Sequence, residues 1–446
     1  MTPGARLQAA IDILGELDRT DRPVERHLRD WGRAHRFAGS KDRAAIAERV
    51  YVALRHRSSF AWRMGSESPR ALVIASLLVE GADPASLFTG GYAPAPLCDA
   101  ERAAIAATPA PPPPHAIGEY PPFLEGELKR AFGDALIDET LALQDRAPVD
   151  LRVNTLKSER NALVAALRSQ GYEAEPAALS PTGIRIPPGA RDLERTAEFE
   201  SGAFEFQDEA AQLCALLCGV KPGMRVLDFA AGAGGKALAL AAIMNDEGEI
   251  VARDVRNVAL AELQRRAIRA GVMIIHSFPL PHAGGGKGQG EGVSKVERAA
   301  AAPSPRPSPP LRGGEGGSLF DVVLLDAPCS GTGTWRRQPE LRWRLTPERL
   351  GELKLAQDAL LMEAAKQVRP GGRLVYATCS VLPCENEDRI AAFLETHRDF
   401  ALAPAEQVWR ESMPAVPPPK PGRFFRASPF STGTDGFFTA ILARNA

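Results

Sequence analysis

The sequence has 446 residues, of which 44% are hydrophobic and 24% charged, and its formal net charge is −1 at pH 7. This length predicts two or three domains, and the composition excludes wholesale disorder and a fibrous repeat. No apolar run approaches the roughly 18 residues that a transmembrane helix needs, and the first residues lack a signal-peptide core. We therefore expect a soluble, cytoplasmic protein.

Six cysteines are too few and too scattered for a disulfide framework. Cys214 and Cys218 stand four residues apart in an apolar segment, which is typical of two small residues on one helix face. No histidine or second cysteine pair follows to complete a zinc site. The sequence therefore predicts no metal site.

Amphipathic patterns from Arg6 to about Leu87 predict an all-helical N-terminal domain over residues 1–106. The proline-rich stretch at 107–122 predicts a stiff, extended linker. Residues 123–205 mix short strand and helix patterns and predict a small α+β module. Within residues 1–60, 12 Lys+Arg oppose 8 Asp+Glu, a mild basic excess that permits an RNA partner without demonstrating one.

From about Phe206 onward, apolar strand patterns alternate with helices of 10–20 residues. Such alternation predicts right-handed crossovers and a parallel, doubly wound sheet over residues 206–446, to which the C-terminal GFFTAILAR adds a last strand. Residues 281–317 contain 10 Gly and 6 Pro and interrupt this pattern between the third and fourth strands. We interpret them as a disordered surface insertion in the sheet domain.

The stretch VLDFAAGAGGK at 226–236 reads as a strand that ends in Asp228, a glycine turn and the start of a helix. This geometry suits a nucleoside-bearing cofactor at the carboxyl edge of a sheet, although a tight turn without a ligand explains the glycines equally well. The second strand ends in Asp254, whose carboxylate is placed to accept both hydroxyls of a ribose.

Cys329 in DAPCSGTG and Cys379 in YATCS each follow an apolar strand of the same predicted sheet. A lone cysteine is most often a small buried hydrophobe, but two thiols at neighbouring strand ends beside an alkyl-donor site indicate covalent pyrimidine chemistry. A thiolate adds to C6 of a cytosine, C5 takes a methyl group from a sulfonium, and a base removes the C5 proton. Asp326, three residues before Cys329, is placed to supply an acid near N3.

The segments FQDEAAQL, VLDFAAGAGGK, ARD, LLDAPCSGTG, ATCS and DGFF resemble the RNA 5-methylcytosine methyltransferases of the RsmB/Nop/Sun group, over roughly residues 145–446. GSKDRAAIAERVYVALRHR more weakly resembles the NusB-like domain of the ribosomal RNA members. The resemblance implies a NusB-like N-terminal bundle, an RNA-binding α+β module and a C-terminal α/β, Rossmann-like class I methyltransferase domain. It also implies S-adenosyl-L-methionine as cofactor and an RNA substrate, rRNA in preference to tRNA, for a protein expected to be monomeric.

The resemblance also implies the roles of individual residues. Cys379 would be the nucleophile at C6, Cys329 would help to release the methylated base, and Asp326 would lie between cofactor and base. Asp254 would bind the ribose. The turn that would line the cofactor comprises Ala230, Ala231, Gly232, Ala233, Gly234, Gly235 and Lys236.

Six polar residues are candidate RNA contacts on the same basis. Arg152 and Asn154 belong to the stretch LRVNTLK, which resembles the RNA-facing module of the family. Four arginines follow the fourth strand, where they would clamp phosphates or merely form a solvated helix face. They are Arg336, Arg337, Arg342 and Arg344.

Two departures from the family pattern bear on cofactor binding. Ala230, Gly232 and Ala233 stand where the family has Cys, Ala and Pro, which keeps the close backbone approach. The acid that the family places after the third strand, to hold the adenine amino group, is missing, and only His276 or Ser277 is at hand to replace it. One lost hydrogen bond costs on the order of 1 kcal/mol, or five- to tenfold in affinity.

Two alternatives therefore stay open beside an active RNA methyltransferase. One is an RNA-binding ribosome-assembly factor that keeps the fold but has lost turnover. The other is a DNA cytosine methyltransferase, in which the Pro-Cys cysteine, here Cys329, would attack the base.

Overall fold

The computed structural model describes residues 1–280 and 319–446. The insertion predicted at 281–317 lies outside the described residues. Within these two ranges, no helix combines the length and apolarity that a membrane crossing requires.

Helices alone make up the first part of the chain, in agreement with the amphipathic patterns. The apolar faces of the first five helices meet in one core, to which α1 contributes Leu7, Ile13 and Leu14, whereas α9 and α10 contribute to a separate core. Whether this bundle is NusB-like stays a prediction. The helices before the first strand are α1 (Pro3–Leu17), α2 (Val24–Ala34), α3 (Ser40–Arg55), α4 (Arg57–Met64), α5 (Pro69–Val79), α6 (Pro84–Leu87), α7 (Asp99–Ala106), α8 (Pro114–Ile117), α9 (Glu125–Phe132) and α10 (Leu136–Ala142).

The proline-rich segment is extended only in its first half. From residue 114 the chain forms α8 and packs against the N-terminal helices, and the Glu119 carboxylate accepts the backbone N–H groups of Ser58 (2.8 Å) and Ser59 (3.1 Å) at the start of α4. Free N–H groups at a helix N-terminus attract such a carboxylate. The extended linker expected over 107–122 is therefore corrected to residues 107–113.

An antiparallel four-stranded sheet with the order β2-β3-β1-β4 forms the small α+β module. The strand and helix patterns predicted between 149 and 186 are confirmed, whereas β4 was not predicted because three residues are too short to show alternation. The elements of the module are β1 (Val149–Val153), α11 (Arg160–Ser169), β2 (Glu175–Pro176), β3 (Gly183–Ile186), α12 (Ala197–Glu200) and β4 (Phe204–Phe206).

The remaining described residues form a helix-flanked sheet. Its elements are α13 (Glu209–Leu217), β5 (Arg225–Asp228), α14 (Gly235–Ile243), β6 (Glu249–Asp254), α15 (Asn257–Ala270), β7 (Ile275–Pro279), β8 (Phe320–Asp326), α16 (Glu340–Arg344), α17 (Pro347–Ala365), β9 (Val368–Thr378), α18 (Glu387–Thr396), β10 (Phe400–Ala403), α19 (Ala405–Ser412), β11 (Phe425–Ala427), α20 (Pro429–Thr432) and β12 (Phe437–Arg444).

This sheet is mixed, which corrects the expectation of a wholly parallel one. The main strand order is β10-β12-β9-β8-β5-β6-β7, and the five strands from β9 to β7 pair in parallel. The C-terminal strand β12 runs antiparallel to β9, and both β10 and β11 pair antiparallel with β12. The order reverses between β5 and β8, so the fold opens a crevice at their carboxyl ends, where ligands bind in such sheets.

The segment that follows β8 also joins the sheet domain to the N-terminal helices. The Trp343 indole N–H donates to the carbonyl of Leu54 (2.6 Å), and the Glu340 carboxylate accepts the N–H of Val24 (3.2 Å). The loop that carries Cys329 is therefore continuous with a chain segment anchored in the N-terminal bundle.

Candidate active site

The turn after β5 depends on glycine at two positions. Gly232 and Gly234 have φ of +55° and +78°, in the left-handed region that favours glycine. A Cβ at Gly234 would lie 2.5 Å from Cγ of Leu263 on α15. The turn is therefore pressed closely onto α15, and this close packing gives the tight cradle that the glycine pattern predicts.

Two arginines support the turn from outside. The Arg152 guanidinium on β1 donates to the carbonyl of Gly235 (2.6 Å) and to the Gln207 side chain, while Arg266 on α15 donates to the carbonyl of Ala233 (2.8 Å). Burial lowers the pKa of Arg152 to about 10. Arg152 thus ties the α+β module to the cofactor turn.

Asp228 and Asp254, at the carboxyl ends of the neighbouring strands β5 and β6, differ sharply in their hydrogen-bond partners. The Asp228 carboxylate is buried and neither of its oxygens has a hydrogen-bond partner. Burial, with the charge of Asp326 beside it, raises the pKa of Asp228 to about 7. Buried polar atoms in native proteins are almost always bonded, so these oxygens mark a position that a ligand would complete.

Asp254, the predicted ribose acceptor, is already fully engaged. Its oxygens accept the N–H groups of Gly232 and Arg256 (both 2.8 Å) and two guanidinium N–H groups of Arg256 (3.0 and 3.1 Å). Burial would raise its pKa, but these hydrogen bonds outweigh burial and hold it below its usual range. A carboxylate offers about four lone-pair sites, so the Arg256 side chain occupies positions that a ribose would use.

Lys236 and Asp326 form an ion pair between the cofactor turn and the end of β8. The Lys236 ammonium donates to Asp326 Oδ2 at 2.6 Å and lies 5.1 Å from the centre of the Phe437 ring. Burial alone would lower the pKa of Lys236, but the adjacent Asp326 carboxylate raises it above its ordinary value. A fixed cation therefore lies next to the predicted acid.

The two predicted catalytic cysteines lie in contact. Cys329 Sγ and Cys379 Sγ are 3.4 Å apart, and both side chains are partly exposed. The hydrogen bond with Cys379, with burial, raises the pKa of the Cys329 thiol well above its ordinary value. Sequence reasoning placed each cysteine at a strand end, and the pairing of β8 with β9 brings them together.

Backbone hydrogen bonds hold the two cysteine loops against each other. The N–H of Gly333 donates to the carbonyl of Cys379 (2.9 Å), and the N–H of Gly436, in the DGFF segment, donates to the carbonyl of Gly333 (2.8 Å). A Cβ at Gly333 would lie 2.1 Å from the carbonyl oxygen of Gly436. Only glycine permits this approach, and it places DGFF beside the loop that follows Cys329.

Arg152 and Asn154 do not lie at the surface as the expected RNA contacts. Both are buried, and the Asn154 amide donates to the carbonyls of Gly202 and Ala270 (both 2.9 Å). Their polar groups therefore join the α+β module to the sheet domain. The expectation is corrected because a short polar segment gives no sign of being covered by another domain.

Arg336 and Arg337 are also internally paired. Arg336 is buried, and both guanidinium groups donate to the Asp435 carboxylate. Arg337 additionally donates to Asp208 at 3.1 Å. The motif residues of FQDEAAQL and DGFF thus form an ion network with the two arginines, which leaves neither arginine free to clamp a phosphate.

Arg342 and Arg344 contact the N-terminal part of the chain. Arg342 is buried and donates to the carbonyls of Arg55 and Leu143 (both 3.3 Å). Arg344 donates to the carbonyls of Asp21 (3.4 Å) and Arg22 (2.7 Å). These arginines hold domains together, which the sequence pattern could not distinguish from a solvated face.

The described end of the third parallel strand offers no carboxylate for an adenine. Residues 271–280 contain no acidic residue, and Ser277 Oγ is bonded to the Gln264 amide at 3.0 Å. His276 is half-buried, at the position that pairs with Val251 of β6. The departure noted from the sequence thus persists in the described structure.

Comparison with known proteins identifies the family of this chain. The 16S rRNA methyltransferase RsmB/F model matches residues 309–443, and an RsmF/B-like ferredoxin-like domain model matches 120–190. A probable ribosomal RNA small subunit methyltransferase B of Synechocystis is 31% identical over 73% of this chain and 67% of its own length. The chain belongs to the RsmB/F methyltransferase family. S-Adenosyl-L-methionine is its methyl donor, as this family membership shows.

Solved structures agree with the fold of this RsmB/F-family chain. The crystal structure of PH0851 superposes with a TM-score of 0.73 at 26% identity and covers 99% of both chains. The structure of NSun6 from Pyrococcus horikoshii, solved with the S-adenosylmethionine analogue SFG, has a TM-score of 0.59 at 19% identity over 74% of this chain and all of its own. The α+β module is accordingly ferredoxin-like, a more specific description than the sequence predicted.

Several residues of the site escaped sequence reasoning. Asp208 and Asp435 lay in quoted motifs but received no role, and Glu385, which is buried beside both cysteine loops, was not singled out. Arg256 was read only as part of a helix. No pattern of spacing identifies the three acids, because each acquires its role from a contact distant in sequence. The contact of Arg256 with Asp254 is local, but it depends on the conformation of the arginine side chain.

Proposed function

We propose that this protein methylates C5 of a cytosine in 16S rRNA through a covalent adduct between Cys379 and C6 of the base. The observation that carries the proposal is the thiol pair. Cys329 and Cys379 follow the adjacent strands β8 and β9 with their Sγ atoms 3.4 Å apart, and Asp326 at the end of β8 pairs with Lys236 of α14. The names of the curated relatives, which are ribosomal RNA small subunit methyltransferases, support rRNA as the substrate. The helical N-terminal region, in which residues 39–57 resemble the NusB-like domain of the ribosomal RNA members, supports the same choice.

The residues of the cofactor turn fit S-adenosylmethionine. Gly232 and Gly234 give the turn its left-handed backbone, which would let the chain approach the cofactor closely, and the unpartnered oxygens of Asp228 offer acceptors. Asp254 would receive the ribose hydroxyls once Arg256 moves aside. When bound, the cofactor would supply a methyl group on a positively charged sulfur, and the Asp326 carboxylate would give that charge a favourable environment.

Cys379 begins the reaction on the base. Its Sγ forms a bond to C6 of the cytosine, and the electron pair of the C5–C6 bond becomes available at C5 to take the methyl group. The Lys236 ammonium, held by the Asp326 carboxylate, would stabilise the negative charge that develops on the pyrimidine by its own charge and by donating a hydrogen bond to N3. Lys236 remains positively charged in this role because Asp326 stabilises its protonated form.

Cys329 acts at the end of the cycle. A base must remove the C5 proton, after which the electron pair expels the Cys379 thiolate and restores the aromatic ring. With its Sγ 3.4 Å from that of Cys379, Cys329 is close enough to exchange a proton at the departing sulfur. The raised pKa of Cys329 keeps it a thiol that can protonate a leaving thiolate.

The decisive experiment traps the adduct. Cys329→Ala, expressed in cells and run on a denaturing gel, should give a slow band that RNase removes and that Cys379→Ala abolishes in the double variant. Cys218→Ala, which alters a buried thiol at the C-terminal end of α13, is the matched control and should give no such band. Sequencing the trapped RNA would identify the nucleotide. A DNase-sensitive band that Cys379→Ala gives and Cys329→Ala does not would instead favour a DNA enzyme, in which Cys329 attacks the base.

A second candidate function is that of a ribosome-assembly factor that does not methylate RNA. It is supported by the residues that would bind the cofactor. Residues 271–280 lack an acid for the adenine, and Arg256 fills the acceptor sites of Asp254. Calorimetric titration with S-adenosylmethionine separates the two proposals. Micromolar binding supports the enzyme, whereas no binding at millimolar concentration, from folded protein that still binds RNA, supports the factor.

A further inference from the structure

Glu385 lies between the two cysteine loops, outside every assigned role. It belongs to the turn between β9 and α18, six residues after Cys379, and is completely buried. Its Oε1 accepts the N–H of Ser330 (2.9 Å) and the amide of Gln357 (3.0 Å). Its backbone carbonyl accepts the hydroxyl of Tyr376 (2.6 Å), which fixes the turn to β9.

The second carboxylate oxygen completes a bridge between the loops. Oε2 of Glu385 accepts the hydroxyls of Ser330 and Ser380, both at 2.5 Å. Ser330 directly follows Cys329, and Ser380 directly follows Cys379. One side chain therefore binds the residue after each thiol.

We propose that Glu385 is a positioning residue that sets the relative placement of the Cys329 and Cys379 thiols. This inference rests on the proposed function, since the placement matters only if both thiols act on one base. Reacting groups must be held near their productive geometry, and small displacements cost large factors in rate. A buried side chain bonded to both loops meets this requirement without touching the substrate.

The donor set explains why the bridge is a carboxylate. Four N–H or O–H groups converge on it, two from Ser330 and one each from Gln357 and Ser380. An ionised carboxylate accepts all four with its lone pairs, whereas an amide of the same shape brings two donors of its own. Glu385→Gln would therefore leave a hydroxyl or N–H without an acceptor while changing the volume very little.

Gln357 links Glu385 to Pro328, the residue that precedes Cys329. The same amide that reaches Glu385 also donates to the carbonyl of Pro328 at 2.9 Å. Cys329 is thus bracketed by bonded neighbours on both sides. The negative charge of Glu385, after the hydrogen bond to Cys379 and burial, also helps to raise the pKa of Cys329, which suits a thiol that stays protonated during attack by Cys379.

A matched pair of glutamates allows a clean test. Glu139 is also buried and accepts the hydroxyl of Ser428 (2.6 Å) and the N–H of Phe430 (3.1 Å), and among the described residues it forms no hydrogen bond with either cysteine loop. Glu385→Gln and Glu139→Gln would be compared in methyl transfer to the RNA identified by trapping. We expect Glu385→Gln to lower kcat at least tenfold with KM for RNA within twofold, and Glu139→Gln to leave both within twofold.

Ser330→Ala and Ser380→Ala each remove one arm of the bridge and provide the test if Glu385→Gln does not fold. Each should lower kcat several-fold with unchanged KM. The proposal is overturned if the folded Glu385→Gln protein has an unchanged kcat, or if its loss of activity matches its loss of folded fraction in a thermal melt. It is equally overturned if the two serine variants have normal kcat.

A measurement independent of methylation separates failure of this inference from failure of the proposed function. Native protein would be alkylated with iodoacetamide, and the rates at Cys329 and Cys379 compared by mass spectrometry, with the exposed Cys98 as internal reference. Glu385→Gln should change the ratio of the two rates at least threefold. An unchanged ratio contradicts the positioning role, whereas a changed ratio in a protein that methylates no RNA contradicts only the function.

Discussion

The two halves of the carboxyl edge of the sheet are built differently. On the cysteine side, after β8 and β9, both carboxylate oxygens of Glu385 are bonded within the chain, and their four donors link the two cysteine loops. On the cofactor side, after β5 and β6, Asp228 has no hydrogen-bond partner and Asp254 is held by a partly exposed arginine. The thiol geometry therefore exists before any ligand binds, whereas the cofactor side depends on its ligand to satisfy buried groups.

The largest effect is expected where the two halves meet. Lys236→Met removes the cation that joins the cofactor turn to Asp326, and we expect methyl transfer to fall below detection and the free energy of unfolding to drop by about 3 kcal/mol. A loss of about 3 kcal/mol in the free energy of unfolding is at the low end of the range for breaking a buried ion pair. We expect the low end because Asp326 is 35% exposed and water screens its charge. Radiolabelled methyl transfer and urea denaturation measure both. Lys221→Met, at an exposed position, is the control and should change neither.

Gly234→Ala tests whether the cofactor cradle tolerates any side chain. Its left-handed backbone and the 2.5 Å approach to Leu263 predict a loss of about 2–3 kcal/mol in stability and loss of cofactor binding. Gly223→Ala is matched, since its φ is +84° but no atom lies within 4 Å of the new Cβ. It should lose only about 1 kcal/mol. Similar losses in the two variants would show that packing onto α15 is unimportant.

Asp228→Asn tests whether the buried Asp228 carboxyl, which has no hydrogen-bond partner, makes the stability of the protein depend on pH. Because burial raises its pKa from 3.8 to about 7, the folded protein holds a proton there that the unfolded chain releases above about pH 4. Stability should therefore fall by a few kcal/mol as pH rises from 4 to 7 and then level off. Glu119, with a pKa also raised to about 7 by burial, contributes the same trend to both proteins.

The quantity to measure is the difference in free energy of unfolding between wild type and Asp228→Asn, by urea denaturation at pH 5, 6, 7 and 8. Subtraction removes the contribution of Glu119. The difference should decline toward pH 7, and two parallel curves would contradict an elevated pKa at Asp228.

The smallest expected effect is a gain. Arg256→Ala frees two acceptor sites of Asp254, so we expect cofactor affinity to rise about fivefold, the worth of roughly one hydrogen bond. Calorimetric titration would measure it, and stability should change by less than about 1 kcal/mol because the Arg256 side chain is 68% exposed. Arg265→Ala, on the outer face of α15, is the control. Weaker binding in Arg256→Ala would mean that the arginine holds Asp254 ready for the ribose.

Regular elements and strand ends were accessible from the sequence because they follow from local patterns. Apolar runs bounded by turns located β5, β6, β8 and β9, and the position of a residue at a strand end placed Asp254, Cys329 and Cys379 along one edge. The short strands β4, β10 and β11 were not predicted. With three or four residues each, they owe their conformation to pairing with a longer neighbour.

The arginines show where local reasoning stopped. Arg336 and Arg342 read as solvated or RNA-facing residues, yet both are buried. A charged side chain is stable inside a protein only when it is paired, and the partners, Asp435 for one and backbone carbonyls of Arg55 and Leu143 for the other, lie 99 to 287 residues away in sequence. Such partners cannot be inferred from a single stretch.

The sequence by itself determined the order of strands and helices, the glycine turn and the pair of cysteines, because periodicity and turn chemistry act over a few residues. Only the tertiary structure decided that the two thiols touch, that Glu385 binds both loops, that Arg256 occupies Asp254 and that Asp228 has no partner. Hydrogen bonds and burial depend on which groups meet in space, and the parallel pairing of β8 with β9 brings together the two thiols and the two loops that Glu385 binds.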